Sequence, residues 1–301
     1  MKALMKKAYF WLWVVGGLFV LSAFDGGGFI AVIIGAVLIA GGVVNYKSMK
    51  KQEEKKRQNA VEAEQRRIAD QKAAEESRAA AQKKIESVHD KERAEMDEYI
   101  DSIPTVQITP VPGRVLPPVN PDFANFSYSM FPKSPDAAGT YVAIDVETTG
   151  LNVNDSKIVE VSAVRFVDYQ PQEIFTTLIN PEMPIPAGAT KVNGITNDMV
   201  KHAPTFPQIL DQLQAFVGHY PLVAHNLPFD IKFLYNEGLQ IYKSRKLYDT
   251  LTFSRRFIKN VRSHKLIDVC DYCRIRYNPH RATADAMACG MLFDVLVNGK
   301  Y

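Results

Sequence analysis

Four carboxylates and one histidine stand out by residue type and spacing. They occur in three short runs in the second half of the chain: Asp145-Val-Glu-Thr-Thr-Gly150, His225-Asn-Leu-Pro-Phe-Asp230 and His280-Arg-Ala-Thr-Ala-Asp285. Asp145 and Glu147 stand at the end of the apolar, β-prone run that begins at Tyr141, and residues two apart on a strand share a face. Four acids gathered in one cleft repel one another and raise their own pKa values, so their convergence makes sense around hard divalent cations such as Mg²⁺ or Mn²⁺. Two such ions roughly 4 Å apart suit phosphodiester hydrolysis, because they supply a water nucleophile and neutralise charge building on the phosphate. His280 follows Pro279 and precedes Asp285 by five positions. A neutral imidazole there can take the proton of the attacking water. The expected catalytic set is therefore His280, Asp145, Glu147, Asp230 and Asp285, with the four acids as metal ligands. His225 has no such placement and suits a structural role as well as a substrate-contacting one.

The elements that must position these groups follow from apolar periodicity. Period-two patterns predict strands over about 141–146, 157–168 and 173–179, then a Pro-rich loop and Gly194-Ile-Thr196. A helix is expected near 206–217, a short buried strand over 221–225, and a helix over 228–237. A strand near 246–249 precedes helices near 250–258, 263–273 and 283–297. Three meandering strands followed by alternating helices and strands predict an α/β fold, a mixed sheet covered by helices.

On these residues the chain resembles the DEDDh family of 3′-5′ exonucleases, which have a ribonuclease H-like fold, and is similar to the exonuclease domain of the epsilon subunit of bacterial DNA polymerase III. Asp145-x-Glu147-Thr-Thr-Gly150 resembles the first family motif, His225-Asn226-x-x-Phe229-Asp230 the second and His280-x-Ala282-x-x-Asp285 the third. Ile158-Val-Glu160, Gly194-Ile-Thr196 and Ser263-His-Lys-Leu266 add to the likeness. The resemblance implies two metals held by the four acids and His280 as the general base. It further implies that Thr148 and Thr149 seat the terminal nucleotide, that Leu151 wedges against a base, and that Asn226 contacts substrate. The activity it implies is release of nucleoside 5′-monophosphates from single-stranded or frayed 3′ ends. DNA is slightly favoured, and an exoribonuclease that trims RNA is the alternative.

Composition divides the chain into four zones. Residues 8–24 and 29–44 carry no charge, with Asp25-Gly-Gly-Gly28 between them and lysines at positions 2, 6, 7, 47, 50 and 51 outside them. Each is near the lower limit for a membrane span of about 17–25 residues. Residues 1–46 thus read as a transmembrane helical hairpin in the cell (inner) membrane, a multi-pass anchor whose flanking lysines put both ends, and the catalytic domain, in the cytoplasm. Residues 47–103 lack Pro and Gly and are rich in Lys, Glu, Gln, Arg and Ala, which predicts one long helix. Val61 and Ile68 recur at seven, as do Ala74, Ala81 and Val88. The stalk either self-associates as a coiled coil into a homo-oligomer or serves as a solvated spacer. Residues 104–138, with eight prolines, read as an extended linker before an exonuclease domain over 139–301. The few residues after the last helix offer no polymerase-binding extension.

Charge and cysteine usage exclude other classes. Residues 139–301 hold 17 Lys/Arg against 16 Asp/Glu, so the domain is not a globally basic nucleic-acid binder. A local run, Lys243, Arg245, Lys246, Arg255, Arg256, Lys259, Arg262 and Lys265, is opposed only by Asp249 and fits phosphate contact or a solvated helix face. Three cysteines without framework spacing argue against a disulfide scaffold, and Cys270-x-x-Cys273 falls in a helical pattern with no second ligand pair. A membrane scaffold whose nuclease fold only binds nucleic acid is the competing reading from another class.

Overall fold

The computed structural model describes residues 28–115, 127–129, 131–132 and 138–301, with side chains from residue 35 onward. Strand β1 (Tyr141–Thr148) pairs antiparallel with β2 (Ile158–Val167), which pairs antiparallel with β3 (Gln170–Leu178). On its other side β1 runs parallel to β4 (Leu222–Ala224), and β4 to β5 (Leu247–Asp249), giving the sheet order β3-β2-β1-β4-β5. The mixed α/β sheet expected from sequence is therefore present.

Alternation along β1 separates two cores. Val142, Ile144 and Val146 face one side with Val161, Ala163 and Phe175, against α4 (Phe206–Val217) and α5 (Leu227–Asn236). Tyr141 and Ala143 face the other with Val164 and Phe166, against α8 (Ala282–Val297). There the Tyr141 ring stacks on Phe166 at 4.8 Å, and its hydroxyl donates to the Gly290 carbonyl at 2.8 Å. Asp145 and Glu147 continue the face of Tyr141 and Ala143, so the strand aims both acids at the side covered by α8. Helices α6 (Thr250–Phe257) and α7 (Leu266–Tyr272) complete that side through Phe253, Val269 and Cys270. Two short helices, α2 (Ala187–Asn193) and α3 (Asn197–Val200), occupy the stretch read as loop.

The N-terminal helix α1 runs without a break from Gly28 to Ser102. The second expected span, 29–44, and the charged stalk are thus one helix, and the division at 46/47 is a change of composition rather than of structure. Among the described residues no helix is long and apolar enough to cross a membrane, and the first expected span, 8–24, lies outside them. Val61 and Ile68 are exposed along α1.

The chain divides into two compact units, 1–84 and 85–301. Within the second, the end of α1 is not a free stalk. Met96, Ile100 and Ile103, spaced by four and three, pack on the α8-side core. Pro104 lies just past the end of α1, where it cannot continue the helix. The residues that follow as far as Arg114, expected as part of an extended linker, lie against the domain. Val106 donates to the Ile174 carbonyl at 2.7 Å and Ile174 to that of Pro104 at 2.9 Å, which adds a short bridge outside β3. Gln212 on α4 then exchanges hydrogen bonds with the Thr109 backbone, and Arg114 pairs with Asp211 at 2.7 Å.

Candidate active site

The site forms where β1 outlasts β4. Parallel pairing between them covers only Val142↔Leu222 and Ala143↔Val223, after which the chain leaves β4 through His225 and Asn226. Asn226 holds a left-handed backbone (φ 68°, ψ 46°) and turns the chain into α5. The Val146 N–H has no strand partner on that side. It donates instead to Asp230 Oδ1 at 3.2 Å, which satisfies a buried backbone donor. A single turn of α5 thus sets Asp230, only 3% exposed, beside Asp145.

Helix α8 brings the fourth acid. Carboxylate oxygens of Asp145, Glu147 and Asp285 all lie within 4.8 Å of one another. Asp285 sits in the first turn of α8, where unpaired N–H groups and the helix dipole favour negative charge. It accepts the His280 N–H at 2.8 Å, and the buried Tyr277 hydroxyl offsets part of the rise that burial gives its carboxyl. His280 itself is exposed and has a positive φ of 70°, a conformation that costs on the order of 1–3 kcal/mol and persists when surroundings impose it. Its backbone bond to Asp285 is one such constraint.

Charge in the cluster is uncompensated. Burial, then the Asp230, Asp285 and Glu147 charges, raise the Asp145 carboxyl well above its ordinary value. Burial likewise raises Asp230 and Asp285. Glu147 is pushed up to about 7, first by burial and then by Asp285 and Glu160, against a hydrogen bond from Asn193. An all-oxygen donor set carrying this much repulsion fits a hard divalent cation, which would relieve it. It is the one such group of potential metal ligands among the described residues.

Several further residues support the cluster from around it. Asn193, buried at the end of α2, donates to the Thr148 carbonyl at 3.4 Å. Glu160, directly opposite Glu147 in the β1–β2 register, is 2% exposed. It accepts from Arg281 Nη2 at 2.9 Å and from the Ala282 N–H at 3.1 Å, tying the start of α8 to β2. Asp249 caps α6 and accepts the Asn226 N–H at 2.9 Å and the Leu227 N–H at 3.3 Å, which fixes the turn into α5. Ser162, opposite Asp145, has a buried hydroxyl without a hydrogen-bond partner among the described residues.

The remaining expected residues are distributed differently. Thr148 donates to the Gly150 carbonyl at 2.6 Å, and Thr149 Oγ1 accepts the Lys157 N–H at 3.0 Å. Both threonines are buried and shape the turn after β1. Leu151 projects from that turn, 86% exposed. Asn226 is exposed at the head of α5. His225 has both ring nitrogens engaged, with Thr250 Oγ1 and with the His264 carbonyl, each at 2.9 Å, which makes it a structural clamp. The basic run is split. Arg245 is buried and donates to the Gly218 carbonyl. Lys265 adjoins the residue held by His225, whereas Lys246 precedes β5 at the opposite end of the sheet.

Comparison with known proteins is consistent with this arrangement. Residues 142–293 match the RNase_T family, described as Exonuclease. The chain is 35% identical over 159 residues to DNA polymerase III PolC-type of Caldanaerobacter subterraneus, covering 52% of this chain and 11% of that protein. It is 34% identical over 164 residues to DNA polymerase III subunit epsilon of Treponema pallidum, covering 52% of this chain and 76% of the relative. The chain therefore spans about a tenth of the PolC-type relatives and most of the epsilon relative. A solved structure of Exonuclease X in complex with 5′ overhanging duplex DNA aligns over 53% of this chain and 92% of that one, at 23% identity and a TM-score of 0.44. The matched segment runs from β1 through most of α8 and so contains every acid of the cluster and His280, and on this ground the chain belongs to the RNase_T exonuclease family.

Proposed function

We propose that the protein is a membrane-tethered 3′-5′ exonuclease that releases nucleoside 5′-monophosphates from single-stranded or frayed DNA 3′ ends. The observation that carries this reading is the convergence of Asp145 and Glu147 from β1 with Asp285 from α8 within 4.8 Å. Asp230 joins them through its bond to the Val146 N–H. These four acids are the residues to hold two divalent cations, Mg²⁺ or Mn²⁺. When bound, such ions supply an activated water and neutralise charge on the phosphate and the departing 3′ oxygen.

The chain's own groups do the rest. His280 takes the water's proton on its imidazole, and the bond from its backbone to Asp285 keeps the residue next to the cluster. Thr148 and Thr149, fixed in the turn after β1, and Asn226 at the head of α5 border the place of the terminal nucleotide. Leu151, with almost its whole side chain in solvent, is placed to stack against its base. Similarity to DNA polymerase subunits supports DNA as the polymer. Tethering against a bilayer surface is supported by Val37, Leu38, Val43 and Val44, exposed on α1 just before Lys47, Lys50 and Lys51, since no described helix is long and apolar enough to cross one.

The test is to incubate the full chain, in detergent or liposomes, with 5′-labelled single-stranded DNA and RNA in Mg²⁺ or Mn²⁺, beside an Asp145→Ala variant. A ladder shortening from the 3′ end of DNA, lost in the variant, is expected. Trimming of RNA alone would change the substrate. Binding without cleavage of either polymer would reduce the protein to a nucleic-acid-binding scaffold.

A further inference from the structure

The loop that carries His280 is held from α1. Between α7 and α8 the chain passes through Arg274 and His280, both with positive φ (62° and 70°), and the stretch they bracket makes three side-chain attachments. Tyr277 turns inward and is buried in the core. Arg276 turns towards α1, with its Nε 3.5 Å from Glu92 Oε2 and its Nη2 3.4 Å from His89 Nε2, while its Nη1 donates to the Asp271 carbonyl at 2.7 Å. Asn278, two residues before His280, donates to Asp97 Oδ2 at 2.6 Å. On α1 these contacts fall where the helix stops being exposed all round. From His89 on, the shielded positions are His89, Arg93, Met96, Asp97 and Ile100 on α1 and Ile103 just past its end, and Met96, Ile100 and Ile103 pack on the core below the loop.

We propose that Asp97 is a positioning residue for the general base: the last turns of α1 hold the 276–280 loop through Asn278, and so set where the His280 imidazole stands. This rests on the reading of His280 as the base. The geometry argues for it in two ways. His280 keeps a backbone conformation that a non-glycine residue adopts only under constraint, and its own side chain makes none of the loop's three attachments. Asp97 lies on α1, which reaches the loop also through Glu92 and His89, and its bond to Asn278 is shorter and more direct than those long contacts of Arg276.

The experiment uses the full chain with Asp97→Ala, Asp97→Asn and His280→Ala, alone and in combination. Asp97→Ala removes a hydrogen bond to a charged acceptor, worth roughly a factor of five to ten near solvent. Hydrogen exchange of the peptide containing His280 is expected to quicken by about that factor, with exchange elsewhere and the melting temperature unchanged. kcat for 3′-end trimming is expected to fall comparably at constant KM, to recover in Asp97→Asn, and not to fall further when His280 is already alanine. Unchanged exchange, or an equal loss in the His280→Ala background, overturns the proposal. Absence of trimming by the unaltered chain sinks the exonuclease reading instead, and the exchange measurement still decides whether Asp97 holds the loop.

Discussion

Replacing Glu147 by glutamine tests whether the acid cluster is under electrostatic stress until a cation arrives. The substitution keeps size but removes one charge. Glu147 is pushed from 4.5 to about 7, chiefly by burial. A carboxyl with a raised folded-state pKa favours the fold most below its unfolded value and progressively less as pH climbs through the folded value. Without metal, the fold therefore loses stability between about pH 4.5 and 7. At about 1.4 kcal/mol per pKa unit, that gap corresponds to roughly 3 kcal/mol. For a domain of this size each kcal/mol moves the melting temperature by roughly 2–4 °C. In chelator at pH 8, Glu147→Gln should melt roughly 6–12 °C above the unaltered chain, followed by near-UV circular dichroism of the core tyrosines and phenylalanines. The difference should close by about pH 5, and Mn²⁺ should raise the unaltered chain more than the variant. A variant melting at or below the unaltered chain at pH 8, or a gap independent of pH, would refute the argument that uncompensated charge shapes this site.

Three further outcomes follow from the geometry. His280→Ala should slow 3′-end cleavage by roughly 10²–10⁴-fold, the usual worth of a general base, while Mn²⁺-dependent stabilisation survives; loss of that stabilisation would make His280 a ligand. Tyr277→Phe removes the buried hydroxyl that offsets part of the rise in the Asp285 pKa and should weaken divalent-cation binding by roughly 10- to 100-fold in a calorimetric titration, with unchanged affinity refuting the role. Gly290→Ala places a methyl 2.2 Å from the Phe166 ring, so it should destabilise the domain by roughly 1–3 kcal/mol; an unchanged denaturation midpoint would show that α8 can move away from β2.

What the sequence made legible was what local patterning controls. The alternation along 141–148 and 158–167 marked strands, and Asp145 and Glu147 were visible as acids on one strand face because that rule needs no tertiary knowledge. Asp285 at the head of an apolar helical run was equally readable. Asn193 was not, and Glu160 was visible only as part of a run resembling the family, since each matters through a partner far along the chain and lies in no period of its own. Arg245 was counted with the exposed bases because nothing local distinguishes a lysine in solvent from an arginine folded under Gly218. The packed end of α1 was masked for a related reason. Met96, Ile100 and Ile103 are three apolar residues in a long charged run, and only a partner surface makes their spacing significant.

The bridge between Pro104–Val106 and Ile174 also determines where this domain can be cut. Strand β3 is the outer strand of the sheet, and an uncovered outer strand offers its N–H and C=O groups to any other chain. Proline at 104 and the departure of the chain towards α4 after Val106 blunt that edge without extending the sheet. A fragment beginning after residue 106 would lose this cover together with the anchoring of Ile103, and would present a fresh edge to its neighbours. Such a fragment should associate edge to edge at concentrations where one beginning before His89 stays monodisperse.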